Sequence, residues 1–270
     1  MIYVLYHRDK DGQGAAYSAW KKFGDKAKYI SVQYGENIPL MPGATEVYIV
    51  DFSYSREILN ELGDNVEKVV VLDHHKTAQK ELEQLCHPKV DVHYDMTKSG
   101  AMIAWEYFVG TSAPDLIKYI QDRDLWLFKL DNSIAVHEFL CSFSYSPALW
   151  DFFVTGLSID HIVAEGKVIL RARDKAVKSI CRNAFDWTDP DGHKVKKVNS
   201  SLYQSEVGHY LLDKYPDIDY ACIFSNVDGE KIVHSLRSRG EFDVSAIAKK
   251  NGGGGHKNAA GYQQILPSVQ

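Results

Sequence analysis

The chain has 270 residues, 45% of them hydrophobic, a formal net charge of −5 and an isoelectric point near 6.1. That length supports one large domain or two modest ones, each with its own core. The acidic balance argues against a surface that grips long duplex nucleic acid, which needs a basic footprint.

In chain order, near-continuous apolar runs at 2–6, 29–34, 46–50 and 68–72 predict strands covered on both faces, as parallel strands are. Helical patterns at 14–23, 55–62 and 100–108 lie between or after them. This alternation predicts an α/β fold whose N-terminal part is an open, mostly parallel sheet flanked by helices. The first apolar run is too short for a signal peptide or a membrane span, and charge follows it at once. The cysteines Cys86, Cys141, Cys181 and Cys222 are widely spaced and form no Cys-x-x-Cys pair, which argues against a zinc ribbon or redox dithiol and fits a reducing compartment. A soluble, cytoplasmic protein without a membrane partner is therefore expected. A Lys- and Arg-rich helical pattern at 159–185 reads as a connecting helix, and 186–194 (DWTDPDGHK) as a turn cluster. The expected organisation is a first domain over 1–158, a connecting helix and linker over 159–189, and a smaller C-terminal α/β domain over 190–270. The acidic surplus lies before residue 190, as expected if cations neutralise it there.

Charge is concentrated where the apolar runs end. His7-Arg8-Asp9-Lys10-Asp11-Gly12 follows the first run, Asp51 the third and Asp73-His74-His75 the fourth. In open α/β sheets ligands bind beyond the carboxyl ends of the strands, so three strand ends deliver imidazoles and carboxylates to one crevice. His7, Asp9 and Asp11 alternate, and an extended exit from the strand would aim them to one side. Carboxylate oxygens suit hard divalent cations, and imidazole suits manganese, iron or zinc. Plainer readings stand beside these: a polar loop with a capping Asp, Asp51 as the cap of a helix starting near Ser55, and the solvated end of a helix at Ile120-Gln121-Asp122-Arg123-Asp124. The adjacent histidines are the hardest to explain structurally. Towards the C-terminus, SLRSR at 235–239 is followed by GGGGHKNAAG at 252–261. Glycine amides can form an anion nest, with Arg237, His256 and Lys257 as charged donors. A flexible loop is the alternative, and the small Ala259, Ala260 and Gly261 argue against it.

HRDKDG, VDF, LDHH and IQDRD together resemble the four motifs of the DHH phosphoesterase superfamily, and SLRSR with GGGGHKNAAG resembles its associated C-terminal substrate-binding domain. The matches run from residue 7 to residue 261 and are similar to the nanoRNase or oligoribonuclease, cyclic-dinucleotide phosphodiesterase and RecJ-like group. The resemblance implies a two-metal phosphodiesterase with two divalent cations, manganese favoured over magnesium, cobalt or iron. It implies that His7 and Asp9 hold one cation, that Asp51 bridges both, and that Asp11, His74 and Asp122 hold the second. Asp122 is preferred to Asp124 because it follows Ile120 at the family's spacing. Asp73 would support the cluster, as a ligand or by fixing a histidine ring, and His75 would touch the substrate phosphate. Arg237, Ser238, Gly254, Gly255 and His256 would bind the substrate from a second domain that closes over the first. The implied partners are short RNA or linear dinucleotides such as pGpG, left by breakdown of cyclic di-GMP and cut to mononucleotides by a monomer or homodimer. Alternatives are a 3'-phosphoadenosine 5'-phosphate phosphatase, an exopolyphosphatase, a cyclic-dinucleotide phosphodiesterase and, from another class, a nucleotide-binding module without catalysis. No Gly-x-Ser-x-Gly elbow and no P-loop occurs in the sequence.

Overall fold

The computed structural model describes residues 1–33 and 35–266, and its contacts divide the chain into two compact units, Met1–Ile169 and Leu170–Gln270. The first unit opens with β1 (Ile2–His7), α1 (Lys10–Phe23), β2 (Ala27–Val32), β3 (Glu46–Val50), α2 (Arg56–Asn65), β4 (Lys68–Asp73), α3 (Lys76–Leu82) and β5 (Val90–Tyr94). Among the described residues these strands form one five-stranded sheet in the order β2-β1-β3-β4-β5, with each neighbouring pair parallel. This is a doubly wound order whose ligand crevice opens where the winding reverses, between β1 and β3. α4 (Gly100–Phe108), α5 (Asp115–Asp124), α6 (Ser133–Cys141), α7 (Pro147–Gly156) and the start of α8 (Ile159–Cys181) follow.

Alternation along each strand sends side chains to two separate cores. Tyr3, Leu5, Val47, Ile49 and Val71 pack on Leu59 and Leu62 of α2. Val4, Tyr6, Tyr48, Val50 and Leu72 pack on Ala15, Ala16 and Ala19 of α1 and on Ile103 and Ala104 of α4. Burial on both faces is why these strands read as continuous apolar runs. A third cluster around Tyr17, Trp105, Ile117, Phe139 and Trp150 joins α1 to the helices that follow β5.

The second strand sits at Ala27–Val32, two residues ahead of the expected 29–34, and Tyr34 lies outside the described residues. β5 has no counterpart among the expected strands. It is a half-buried edge strand whose Val-Asp-Val-His-Tyr alternation differs from the continuous pattern of its neighbours.

The second unit contains β6 (Phe185–Thr188), β7 (Lys194–Asn199), α9 (Gln204–Lys214), β8 (Tyr220–Val227), β9 (Lys231–Ser238), α10 (Val244–Lys250), β10 (Gly254–His256) and β11 (Ala259–Ile265). They form a second sheet in the order β10-β11-β9-β8-β7-β6, antiparallel except between β7 and β8. One face packs on α9 and the end of α8, the other on α10. The segment expected as a turn cluster at 186–194 is a β-hairpin. Asp189 closes its turn by accepting hydrogen bonds from the backbone of Asp191 (3.0 Å) and His193 (2.8 Å). The second sheet therefore takes in residues 185–188, ahead of the expected boundary at 190; residues 267–270 lie outside the described residues. Among the described residues, no helix is long and apolar enough to cross a membrane.

Candidate metal centre

Parallel pairing in one register, Tyr6 beside Val50 and Val50 beside Leu72, ends β1, β3 and β4 on the same edge of the sheet. His7, Asp51 and Asp73-His74 therefore emerge side by side. After His7 the chain turns into α1 through Asp9. One Asp9 carboxylate oxygen accepts from Gly12 N (2.9 Å), capping the helix. The other shares a 2.8 Å hydrogen bond with His7 Nδ1. Burial works against ionisation of Asp9, but these hydrogen bonds outweigh it and hold its carboxyl down at about 2. Gly12 is required here, because a Cβ would overlap the His7 carbonyl oxygen.

Asp11, in the first turn of α1, is buried. Its oxygens accept from Gly100 N (2.6 Å) and Ala101 N (3.0 Å) at the N-terminus of α4, where a helix favours negative charge. The same carboxylate lies 3.6 Å from His74 Nε2. His74 Nε2 is also 3.2 Å from Asp51 and 3.6 Å from Asp124.

Asp51 sits at the middle of this group, 3.8 Å from His7 Nδ1 on its other side. It has left-handed backbone, φ +65°, a strained state for a non-glycine residue, and is tied down by Asp51 N donating to Leu72 O at 2.8 Å. Its side chain is 1% exposed, and among the described residues neither carboxylate oxygen has a hydrogen-bond partner. Gly100 makes room for it: a Cβ there would come within 2.5 Å of Asp51 Cβ. Burial first, then the charges of Asp11 and Asp9, push the Asp51 carboxyl well above the usual range. The same causes push Asp124 up to about 7. Burial also lowers the His74 imidazole, against the pull of Asp11.

A buried carboxylate with no hydrogen-bond partner among the described residues is costly, and bound divalent cations would remove that cost. The ligand atoms of His7, Asp9 and Asp51 lie within 4.8 Å of one another, as do those of Asp11, His74 and Asp124. These residues fit cations with a mixed imidazole and carboxylate preference.

Asp73 acts behind this cluster. Its buried Oδ1 accepts from His74 N (2.7 Å) and His75 N (3.2 Å) and shares a 2.7 Å hydrogen bond with His75 Nδ1. That bond, before other influences, raises the His75 imidazole above its ordinary value. One carboxylate thus orients the His75 ring and holds the backbone of both histidines.

Asp122 does not join the others. Its side chain is buried and accepts from Lys129 N (2.8 Å), Leu130 N (3.2 Å) and the Ser133 hydroxyl. Asp124 lies at the cluster instead, 3.6 Å from His74 Nε2. Residues two apart on a helix point to different sides, so only one of the two acids can face His74, and the spacing from Ile120 selects the other. Gly100 is the site residue that the motifs do not name. The Ser99-Gly100 start of a helix was its one local signal, with Ser99 as N-cap.

In the second unit, Ser238 is buried and donates to Phe242 O (2.7 Å), closing the turn after β9. Arg237 lies on the α9 face, against Gly208, and donates to Leu236 O (2.9 Å). The glycine run is a helix cap and a strand. Gly252 N and Gly253 N donate to the carbonyls of Lys249 and Ala248 that end α10 (3.0 and 2.8 Å), and Gly254, Gly255 and His256 pair with β11. Those two capping amides are therefore not available to an anion nest. A Cβ on Gly253 would come within 2.7 Å of Tyr262 Cα, which explains the need for glycine there.

Residues 202–265 match the family model described as the DHHA1 domain. The chain is 30% identical over 280 residues to the uncharacterized protein R106 of Acanthamoeba polyphaga mimivirus, spanning 96% of this chain and 66% of that one. It is 29% identical over 298 residues to the oligoribonuclease NrnB of Bacillus subtilis (strain 168), spanning 96% of this chain and 72% of that one. Its fold matches that of the pGpG-specific phosphodiesterase PggH from Vibrio cholerae with a TM-score of 0.59 at 17% identity, over 98% of this chain and 94% of the other.

Proposed function

The chain belongs to the DHH superfamily of phosphoesterases, hydrolases of phosphoester bonds, and from that premise we propose that it cuts short oligoribonucleotides or linear dinucleotides such as pGpG to mononucleotides with the help of divalent cations. The observation that carries this reading is the Asp51 carboxylate, buried and without a hydrogen-bond partner among the described residues, between His7 and His74 at the mouth of the crevice. We assign His7, Asp9 and Asp51 to one cation, and Asp51 with Asp11, His74 and Asp124 to a second. Manganese is favoured by the mixed donor set. Such ions, when bound, polarise phosphoryl oxygens and lower the pKa of water.

The chain's own residues supply the rest. Asp73 holds the His75 ring through Nδ1, and we assign His75 to contact with a substrate phosphoryl oxygen. The raised His75 pKa favours the cationic ring that such a contact needs. Asp11 is held by hydrogen bonds from two backbone amides of α4. Arg237, Gly254, Gly255 and His256 are assigned to substrate binding in the second unit, with Ser238 holding the turn between them. The acidic composition supports a small substrate over a long polyanion.

The test is a product time course with RNAs of two to five residues and pGpG, in manganese, beside 3'-phosphoadenosine 5'-phosphate and polyphosphate. Mononucleotides should appear fastest from the shortest RNAs, and Asp51→Asn should lose about three orders of magnitude or more in kcat. Preference for either of the other two substrates would overturn the reading.

A further inference from the structure

Trp126, Leu127 and Phe128 follow Leu125, the C-cap of α5, and nothing in the centre described above uses them. All three are exposed, Trp126 at 69% and Phe128 at 42%. Trp126 and Phe128 also have left-handed backbone, φ +54° and +47°, which bulky residues avoid. Exposed aromatic surface and backbone strain both cost free energy, and such strain persists where the surroundings over-determine it. Here the surroundings are Asp122. Its carbonyl accepts from Leu127 N (2.9 Å) and Phe128 N (3.4 Å), while its carboxylate takes Lys129 N, Leu130 N and the Ser133 hydroxyl. A buried acid on α5 thus pins the loop from both ends.

What the pin displays is a cationic aromatic corner. The rings of Trp126 and Phe128 meet edge to face, 5.4 Å apart and 85° between planes. The Arg123 guanidinium carbon lies 4.6 Å from the first ring centre and 5.7 Å from the second. Arg123 also lines a cavity of about 110 Å³ together with Asp9, Asp11 and Asp124. One side chain therefore connects the aromatic corner to the candidate metal centre.

We propose that Trp126, Phe128 and Arg123 form a nucleobase platform beside the centre, with Asp122 as the positioning residue that holds it. This rests on the reading of the chain as a phosphodiesterase for short nucleotides. A flat aromatic face accepts any base by stacking, and an adjacent guanidinium strengthens the stack. A base joined to a phosphate in the centre has to lie in its immediate surroundings, which is where this corner is.

The experiment is steady-state kinetics of the whole chain in manganese, with pGpG and with the same dinucleotide lacking both bases. Trp126→Ala should raise KM for pGpG roughly 10- to 100-fold and change kcat by less than about twofold, as expected for one lost stack. Trp126→Phe should restore most of the loss, and the base-free substrate should not distinguish the variants. Asp122→Asn should raise KM for pGpG and not for the base-free substrate. An unchanged KM for pGpG in Trp126→Ala overturns the platform, as does an equal loss on both substrates. A change of oligomeric state in Trp126→Ala with unchanged KM also overturns it and makes the corner a protein contact. If the wild type hydrolyses neither substrate, the phosphodiesterase reading fails. Calorimetric binding of GMP then decides the platform separately: it stands if Trp126→Ala weakens binding by that same factor and falls if it does not.

Discussion

Asp122 and Asp124 stand two residues apart, and exchanging each for Asn separates the acid that pins a loop from the acid proposed as a metal ligand. Asp122 accepts two backbone N–H groups and one hydroxyl in a buried site. Hydrogen bonds to a charged acceptor contribute about 1.5–3 kcal/mol each. Asn turns an NH₂ donor towards one or two of those donors, so Asp122→Asn should cost roughly 2–5 kcal/mol. For a chain of this size about 2–4 °C of Tm corresponds to each kcal/mol, which gives a fall of roughly 4–20 °C. Asp124→Asn removes a carboxyl that burial and the charges of Asp11 and Asp9 already push up to about 7. The metal-free protein should keep its Tm or gain slightly, while manganese affinity falls at least about tenfold. Thermal unfolding in EDTA reads the first property and calorimetric titration with manganese the second. Weaker manganese binding in Asp122→Asn with an unchanged metal-free Tm would refute the assignment.

Manganese at about 100 times its Kd should stabilise the wild type by about 2.7 kcal/mol, and the shift should vanish in His74→Ala; a wild type whose Tm ignores the metal has no such centre. The pH dependence follows from the direction of the Asp124 shift. Its folded pKa lies above the unfolded value, so its contribution is complete below the ordinary carboxylate range and is lost as pH rises from about 4 to about 7. In EDTA, the stability of the wild type relative to Asp124→Asn should therefore fall by roughly 2–4 kcal/mol over that window, measured by urea unfolding at several pH values. A constant difference would show that Asp124 is not strained by its neighbours. Gly12→Ala forces a methyl group against the His7 carbonyl and should cost more than about 3 kcal/mol; a cost below about 1 kcal/mol would show that this turn has slack.

Much of the first unit is legible in the residues themselves. β1, β3 and β4 lie within one residue of the apolar runs at 2–6, 46–50 and 68–72, because strands buried on both faces are apolar on both. His7, Asp51, Asp73, His74 and His75 are visible at their ends for the same reason: a polar residue that breaks such a run marks the point where the chain leaves the sheet. β5 escapes this reading because an edge strand needs only one covered face. The hairpin at β6 and β7 escapes it because its short alternating strands resemble a turn cluster until they pair.

Residue type and spacing alone bring His7, Asp9, Asp11, Asp51 and His74 forward as a set. They do not state that Asp51 has no hydrogen-bond partner among the described residues, or that Gly100 must lack a side chain beside it, since both depend on how α4 packs against the strand ends. They leave Asp122 and Asp124 both open, and only the family resemblance prefers Asp122; in the fold α5 points Asp122 at a loop that needs it and Asp124 at His74. Chemistry that lies along one strand end is written in the sequence. Which of two like residues faces a site on another element is a matter of helix phase and loop closure, and only the packed chain decides it.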